Sequence, residues 1–336
     1  MSSNPSPQDH IRKAPCPTCI VCGSGGVELY DGLTDYLAGT QGDWRIVRCA
    51  DVACGMLWLD PMPLAADLIK AYASYHTHGS VRAGGVRRLA LSALNSFCRI
   101  VSRVLESGSG LARQRRQLRT MFICKAPAGS LLEVGCGAGR FLNRMRAAGW
   151  RVQGTDFDTA AAAHVMQRYG LQVDVGHLAD LRYPSEAFDV VAMSQVIEHV
   201  HNPQALLMEC LRLLRPGGRM VLTTPNALAL AHLDYGRYWR GLEPPRHLHV
   251  FTPIALERCA SSAGFVSAEL RTLSAESAGI YRASGELRDA RHAKRSWLSE
   301  AAAIVGAWRM RYFEYRQTLL LPYVGQDILY VGIKKF

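Results

Sequence analysis

From residue 126 onward the chain alternates short apolar runs with segments whose apolar positions recur every three or four residues. That alternation predicts strand, helix, strand, helix, and hence a parallel sheet covered by helices on both faces. The first run, residues 130–134, ends in the glycine-rich turn Gly135-Cys136-Gly137-Ala138-Gly139, after which Phe141, Leu142, Met145 and Ala148 mark a helix. Further strands are expected at 151–155, 173–175, 190–194 and 220–224, with a helix at 204–214 and a turn at 215–218 ahead of the last. A helix at 254–263 and late strands at 266–272 and 328–333 complete the pattern around a helical insertion near 285–318. The fold class is α/β, a Rossmann-like doubly wound seven-stranded sheet with helical insertions.

The segment ahead of this core has a different character. Across residues 86–105, Val86, Leu89, Ala93, Phe97, Ile100 and Val104 recur at helical spacing, while Arg88, Arg99 and Arg103 fall opposite. Two readings of this amphipathic helix stay open: a lid or linker packed on the core, and a helix lying on an anionic membrane surface. A basic helix at 113–119 follows it; a short helix at 64–75 with Tyr72 and Tyr75, then glycine breaks at 79, 84 and 85, precede it. Between residues 81 and 125 ten basic side chains, from Arg82 to Lys125, stand against Glu106 alone, so this stretch supplies most of the net charge of +11. Such a region suits anionic lipid, nucleic acid or a phosphorylated substrate.

With 336 residues, 49% of them hydrophobic and 20% charged, the chain can bury a large core with one or two small appendages. It has no apolar run near the ~18 residues of a spanning helix, and its polar start lacks the apolar stretch of a signal peptide, so a cytoplasmic protein is expected. Five of the ten cysteines fall between Cys16 and Cys54, a clustering that favours metal over disulfides. Cys19, Cys22, Cys49 and Cys54 have the spacing of a zinc ribbon, with Cys16 as a spare or alternative ligand. Four thiolates leave no open position for chemistry, so the zinc would be structural. Three parts result: a zinc-ribbon-like unit at 1–63, disordered to about residue 15; a basic helical linker or lid at 64–125; and the α/β unit at 126–336.

The glycine turn lets a ligand lie against bare backbone. A dinucleotide fingerprint would need glycine at 140, where Arg140 stands, and Glu133 suits a cationic or hydroxyl-bearing ligand better than a pyrophosphate. Asp156, 21 residues after Gly135 and at the end of the second core strand, is placed to accept both hydroxyls of a ribose. Asp158 suits a helix N-cap. Glu198 and His199 follow the fourth core strand, where an open parallel sheet puts its ligands. Residues 235–253 are aromatic, histidine-bearing and proline-broken, the composition of a functional insertion.

Five motifs agree in order with class I S-adenosylmethionine (SAM)-dependent methyltransferases: Glu133-Val-Gly-Cys-Gly-x-Gly139, Gly154-x-Asp156, Phe188-Asp189-Val-Val, Glu198-His199-Val and Leu214-Arg-Pro-Gly-Gly218. The core resembles their ubiquinone-biosynthesis-type branch. Thr224-Pro-Asn226, Trp239-x-Gly241, Pro245-Arg-His247-Leu and Ala263-Gly-Phe265 are similar to a subgroup associated with surface polysaccharides and sugar modification, and the cysteine ribbon resembles that of deoxysugar C-methyltransferases. The resemblance implies SAM as cofactor, held by Glu133, Gly135, Gly137, Gly139, Asp156, His177, Leu178 and Gln195. At position 177 the family often has an adenine-binding aspartate, and this chain has His177, which shifts adenine recognition to the backbone near Leu178 or to Asp180.

With an activated methyl donor, the protein must align an acceptor and remove its proton. His199 is the first candidate base, His247 and His249 the next, with Glu198 orienting one of them or touching the acceptor; Tyr235, Tyr238 and Trp239 would line the pocket, and His201 faces solvent. The expected acceptor is a small molecule, a sugar or a lipid-linked compound. Two alternatives are an RNA methyltransferase gripping its substrate with the ribbon and basic segment, and a non-catalytic SAM-binding scaffold. Against RNA stands Gln195-Val-Ile-Glu198 where base-amine methyltransferases have an Asn-Pro-Pro-Tyr type signature.

Overall fold

The computed structural model of the chain describes residues 11–72, 86–123, 128–289 and 297–336. The expected disorder up to residue 10, Tyr75, Arg82, Lys125 and the glycine breaks lie outside these residues. Residues 11–15, expected to be disordered, are instead ordered, because Ile11 is buried and Lys13 and Ala14 pair with Pro63 and Met62.

The amino-terminal part contains β1 (Lys13–Ala14), β2 (Gly26–Leu33), β3 (Trp44–Cys49), β4 (Leu57–Leu59), β5 (Met62–Pro63) and the short helix α1 (Ala65–Leu68). Strands β1 and β5 pair with each other, and β2, β3 and β4 form an antiparallel meander. Helices α2 (Val86–Leu105) and α3 (Gly110–Leu118) follow.

The main sheet is built from β6 (Ser130–Val134), α4 (Arg140–Ala147), β7 (Arg151–Asp156), α5 (Thr159–Tyr169), β8 (Val173–Val175), β9 (Phe188–Ser194), α6 (Pro203–Leu213) and β10 (Leu214–Pro225). After α7 (Leu230–Tyr235) and the two-residue strand β11 (His249–Val250) come α8 (Pro253–Ser262), β12 (Val266–Leu273), α9 (Ser277–Asp289), α10 (Trp297–Thr318) and β13 (Asp327–Ile333). Strand order is β12-β13-β10-β9-β6-β7-β8, with β13 antiparallel to both its neighbours and the pairs from β10 to β8 parallel. The expected seven strands are all present. The chain winds outward in both directions from β6 and β9, so the crevice beyond their carboxyl ends is the switch point where such sheets take ligands.

Alternation along the strands fixes the two faces. Leu132, Val191 and Leu222 enter one apolar cluster with Leu207 of α6 and Leu256 of α8, whereas their neighbours Leu131, Val190 and Val221 enter another with Leu142 of α4 and Val165 of α5. Side-chain caps set the helix starts: Asp158 accepts from Ala160 N, Asn202 from Ala205 N and Thr252 from Ala255 N, the last two followed by proline in the first turn.

Three features depart from the expected pattern. The segment 215–218 lies inside β10, where the register against β9 slips between Leu214 and Arg219 and Gly217 takes φ 74°. Strand β11 pairs with β4, His249 opposite Trp58, and adds a fourth strand to the amino-terminal meander. Trp44, Met56 and Trp58 also share the apolar cluster of Met193 and Leu222, so residues 11–63 pack on the sheet as part of one core. Helix α2 has its expected bounds and leaves its apolar side exposed.

Candidate functional site

The turn after β6 holds Gly135, Gly137 and Gly139 at φ 68°, 47° and 67°, left-handed values that suit glycine. A side chain at Gly135 would stand 2.6 Å from Val196, whereas a Cβ at Gly137 meets nothing within 4 Å, so bare backbone faces open space there. Asp156 ties the turn down: Oδ2 accepts from Gly137 N at 2.8 Å and Oδ1 from Asp158 N at 3.0 Å. A carboxylate has about four acceptor positions, so two remain for a ligand's hydroxyls. Beneath the turn Glu133 is buried, and its Oε2 has no partner. Burial, reinforced by Asp156, pushes its pKa up to about 8.

On the other side of the crevice, a 3-10 turn at Ile197–His199 carries the second group. Glu198 is fully buried; its Oε2 accepts from Thr224 Oγ1 at 2.9 Å and its Oε1 is unpartnered. His199 and His247 meet edge to face with centroids 4.7 Å apart, and one polar atom of each lies within 4.8 Å of the Glu198 carboxylate. Three of the four expected catalytic side chains therefore converge. His249, the fourth, is buried in β11 with neither ring nitrogen hydrogen-bonded, beside Phe251. His201 does not face solvent freely: its Nε2 donates to Pro63 O at 2.7 Å.

Backbone carbonyls fix both tautomers, since a carbonyl can only accept. His199 Nδ1 lies 3.0 Å from Arg246 O and 3.0 Å from Tyr72 Oη, which leaves Nε2 as the lone-pair nitrogen. His247 Nδ1 donates to Gly241 O at 2.8 Å, and its Nε2 is 3.5 Å from Glu243 Oε2. Burial, then the neighbouring His247, pushes the His199 pKa down to about 3, and burial lowers that of His247. Burial pushes Glu198 up to about 8. Burial opposes ionisation of Glu243, but His247, Arg240 and Arg246 outweigh it and hold the pKa near 2.

Tyr72, Glu243 and Arg246 are not among the expected site residues, although Arg246 lies within the Pro245-Arg-His247-Leu motif. The Tyr72 ring sits 5.2 Å from Phe157, which follows Asp156 in the chain, and its hydroxyl reaches His199, so it bridges the Asp156 end of the crevice and the histidines. Arg246 is fully buried, with two 2.7 Å bonds to Asp35 and one of 2.9 Å to Glu243. The three aromatic residues expected in one pocket separate. Trp239 is core, stacked on His232 at 4.7 Å; Tyr235 lines a cavity of about 280 Å³ between α9 and α10; Tyr238 lies near Leu33 and Asp35. Among the expected cofactor contacts, Leu178 is buried, while His177, Asp180 and Gln195 are exposed. Gln195, at φ 56°, bonds Asp327 Oδ1 at 3.2 Å from the end of β9.

A second cluster lies in the amino-terminal sheet. The sulfurs of Cys19, Cys22, Cys49 and Cys54 all fall within 4.8 Å of one another, with 3.7 Å between Cys19 and Cys54 and 3.3 Å between Cys22 and Cys49. Cys16 is outside this set; its amide donates to Asp60 Oδ1.

The family model of the methyltransferase domain matches residues 97–270, more than half of the chain, including Glu133, Asp156, Glu198, His199 and His247. The chain belongs to the methyltransferase domain family. A "Probable S-adenosylmethionine-dependent methyltransferase" of Mycolicibacterium smegmatis is 42% identical over 103 residues, 30% of this chain and 40% of that protein. A ubiquinone biosynthesis O-methyltransferase of Maricaulis maris is 36% identical over 134 residues, covering 36% and 51% of the two chains. A SAM-dependent methyltransferase structure from Archaeoglobus fulgidus covers 69% of this chain and 98% of that one at 17% identity and TM-score 0.45. The chain spans about 40% of the length of the first curated relatives it matches.

Proposed function

We propose that this methyltransferase transfers the methyl group of SAM to a small-molecule, sugar or lipid-linked acceptor, and that His199 takes the acceptor's proton. The observation that carries the reading is the convergence of Glu198, His199 and His247 at the carboxyl end of β9, across the crevice from the glycine turn. SAM fits the residues opposite: Glu133 Oε2 lacks a partner for a cationic group, Gly137 presents bare backbone to open space, and Asp156 retains acceptor positions for a ribose. When bound, SAM supplies an electrophilic methyl that needs no further activation.

The chain's own work is alignment and proton removal. His199 offers Nε2 because Nδ1 is committed to Arg246 O, and Tyr72 holds the ring at the Phe157 end. His247, between Gly241 O and Glu243, buttresses His199, and an ionised Glu198 would stabilise the imidazolium formed there. The lead experiment is calorimetry with S-adenosylhomocysteine, then a methyl-donor assay on cell extract divided into lipid, sugar-nucleotide and RNA pools. Asp156→Ala is expected to weaken S-adenosylhomocysteine binding at least about tenfold, since it removes acceptors for the ribose and frees Gly137 N. Undiminished binding overturns the reading, and turnover confined to the RNA pool overturns the acceptor class.

The four thiols support a structural zinc ion. A tetrahedron with Zn–S near 2.3 Å places its sulfurs about 3.8 Å apart, within the spread of this cluster. One zinc per chain is expected by elemental analysis. Cys22→Ser should lower that content and the melting temperature by several degrees, and full metal-free stability would exclude the site.

A further inference from the structure

We propose that the exposed apolar side of α2, flanked by arginines, seats the protein on an anionic lipid surface. An amphipathic helix on a globular core normally turns its apolar stripe inward. Helix α2 does the reverse. Two of its polar residues, and one just past its end, face the protein: Asn95 Oδ1 accepts from Trp308 Nε1 at 3.1 Å, Ser102 Oγ from Arg311 Nη2 at 3.1 Å, and the buried Glu106 pairs with Arg311 and, at 2.8 Å, with Arg115. Leu89, Phe97, Ile100 and Val104, which share one side at helical spacing, are 58–73% exposed. Its packing partner α10 adds Trp297, Leu298 and Phe313, each about half exposed or more.

Charge selects the occupant. Helix α2 contains no acidic residue, Arg99 and Arg103 are exposed beside the apolar side, and Glu106 is consumed internally. A second copy docked on this side would bring arginines against arginines with no exposed carboxylate on the helix to answer them. A bilayer rich in anionic headgroups answers both the charge and the apolar area. No described helix is long and apolar enough to cross a membrane, so the helix would lie on the surface. The inference is independent of the methyl-transfer reading.

The test is flotation of the full chain with phosphatidylcholine vesicles, with and without phosphatidylglycerol, at low salt. The wild type should float with the anionic vesicles alone. A Phe97→Glu, Ile100→Glu double variant should stay behind, and an Arg99→Gln, Arg103→Gln variant should bind about tenfold less. All these positions are solvent-exposed, and unchanged melting with retained S-adenosylhomocysteine binding will show that the variants are folded. No flotation of the wild type, or equal flotation of all three proteins, overturns the proposal. So does a dimer by light scattering that the double glutamate variant splits while vesicles capture nothing.

Discussion

His199→Ala is expected to lower kcat by about two to four orders of magnitude, the usual contribution of a positioned proton acceptor, while S-adenosylhomocysteine binding persists. The separation follows from geometry. The proposed cradle for the donor is the turn at Gly135–Gly139 with Glu133 and Asp156, whereas His199 is linked to that end only through Tyr72 and Phe157. Burial pushes the His199 pKa down to about 3, so the imidazole starts neutral at neutral pH and needs an ionised carboxylate beside it to hold the proton it takes. Glu198 should set the pH dependence. Its carboxyl has a pKa near 8, is protonated below that, and can stabilise a neighbouring imidazolium only when ionised. Activity should therefore rise with pH through about 8 in the wild type. Glu198→Gln should lower the plateau and remove the inflection. A His199→Ala enzyme with wild-type kcat, or a pH profile unchanged in Glu198→Gln, would return the proton to solvent or to another group.

How much of this was legible in the sequence depends on the range over which each feature is decided. The strands and the glycine turn are local: an apolar run ending at Gly135 or Ser194 announces a buried strand, and a helix cap such as Asp158 needs only its own neighbours. The cluster of Cys19, Cys22, Cys49 and Cys54 is legible because its members come in close pairs along the chain, and Cys16 is separated from them only in space. Glu198 and His199 are legible from their place after the fourth core strand. Tyr72 is not, because its meaning lies in a bond to a residue 127 positions away, and neither is Arg246, whose partner Asp35 is 211 positions away. Helix α2 shows the same limit from another side. Periodicity revealed two unlike faces, but which of them meets the protein was decided by Trp308 and Arg311, far along the chain. Trp239 looked like a pocket residue for want of any sign that His232 and Gln326 would enclose it.

Arg246→Met is expected to destabilise the fold by about 3–5 kcal/mol, the cost of stranding buried charge. Arg246 is wholly inaccessible, and three of its bonds go to carboxylates: two to Asp35, from the amino-terminal part, and one to Glu243, four residues before His247. A fourth goes to Ala71 O at 3.0 Å, beside Tyr72. Methionine fills most of the volume but leaves Asp35 without its cation and Glu243 with Arg240 alone. Arg246→Lys should recover little, because a single ammonium cannot reproduce the planar fork. The pH dependence gives an independent check. Asp35 and Glu243 both have depressed folded-state pKa values, so the stability they contribute is present above the unfolded value and lost as pH falls. For Glu243 that window runs from its ordinary 4.5 down to about 2. The gap between wild type and variant, measured by urea denaturation, should therefore be full at neutral pH and narrow across that acid range. Since Arg246 also presents its carbonyl to His199, the variant should lose kcat out of proportion to its fraction unfolded. A gap under about 1 kcal/mol at neutral pH, typical of exposed pairs, would mean that the amino-terminal part and the histidine loop are held together by their shared apolar core alone.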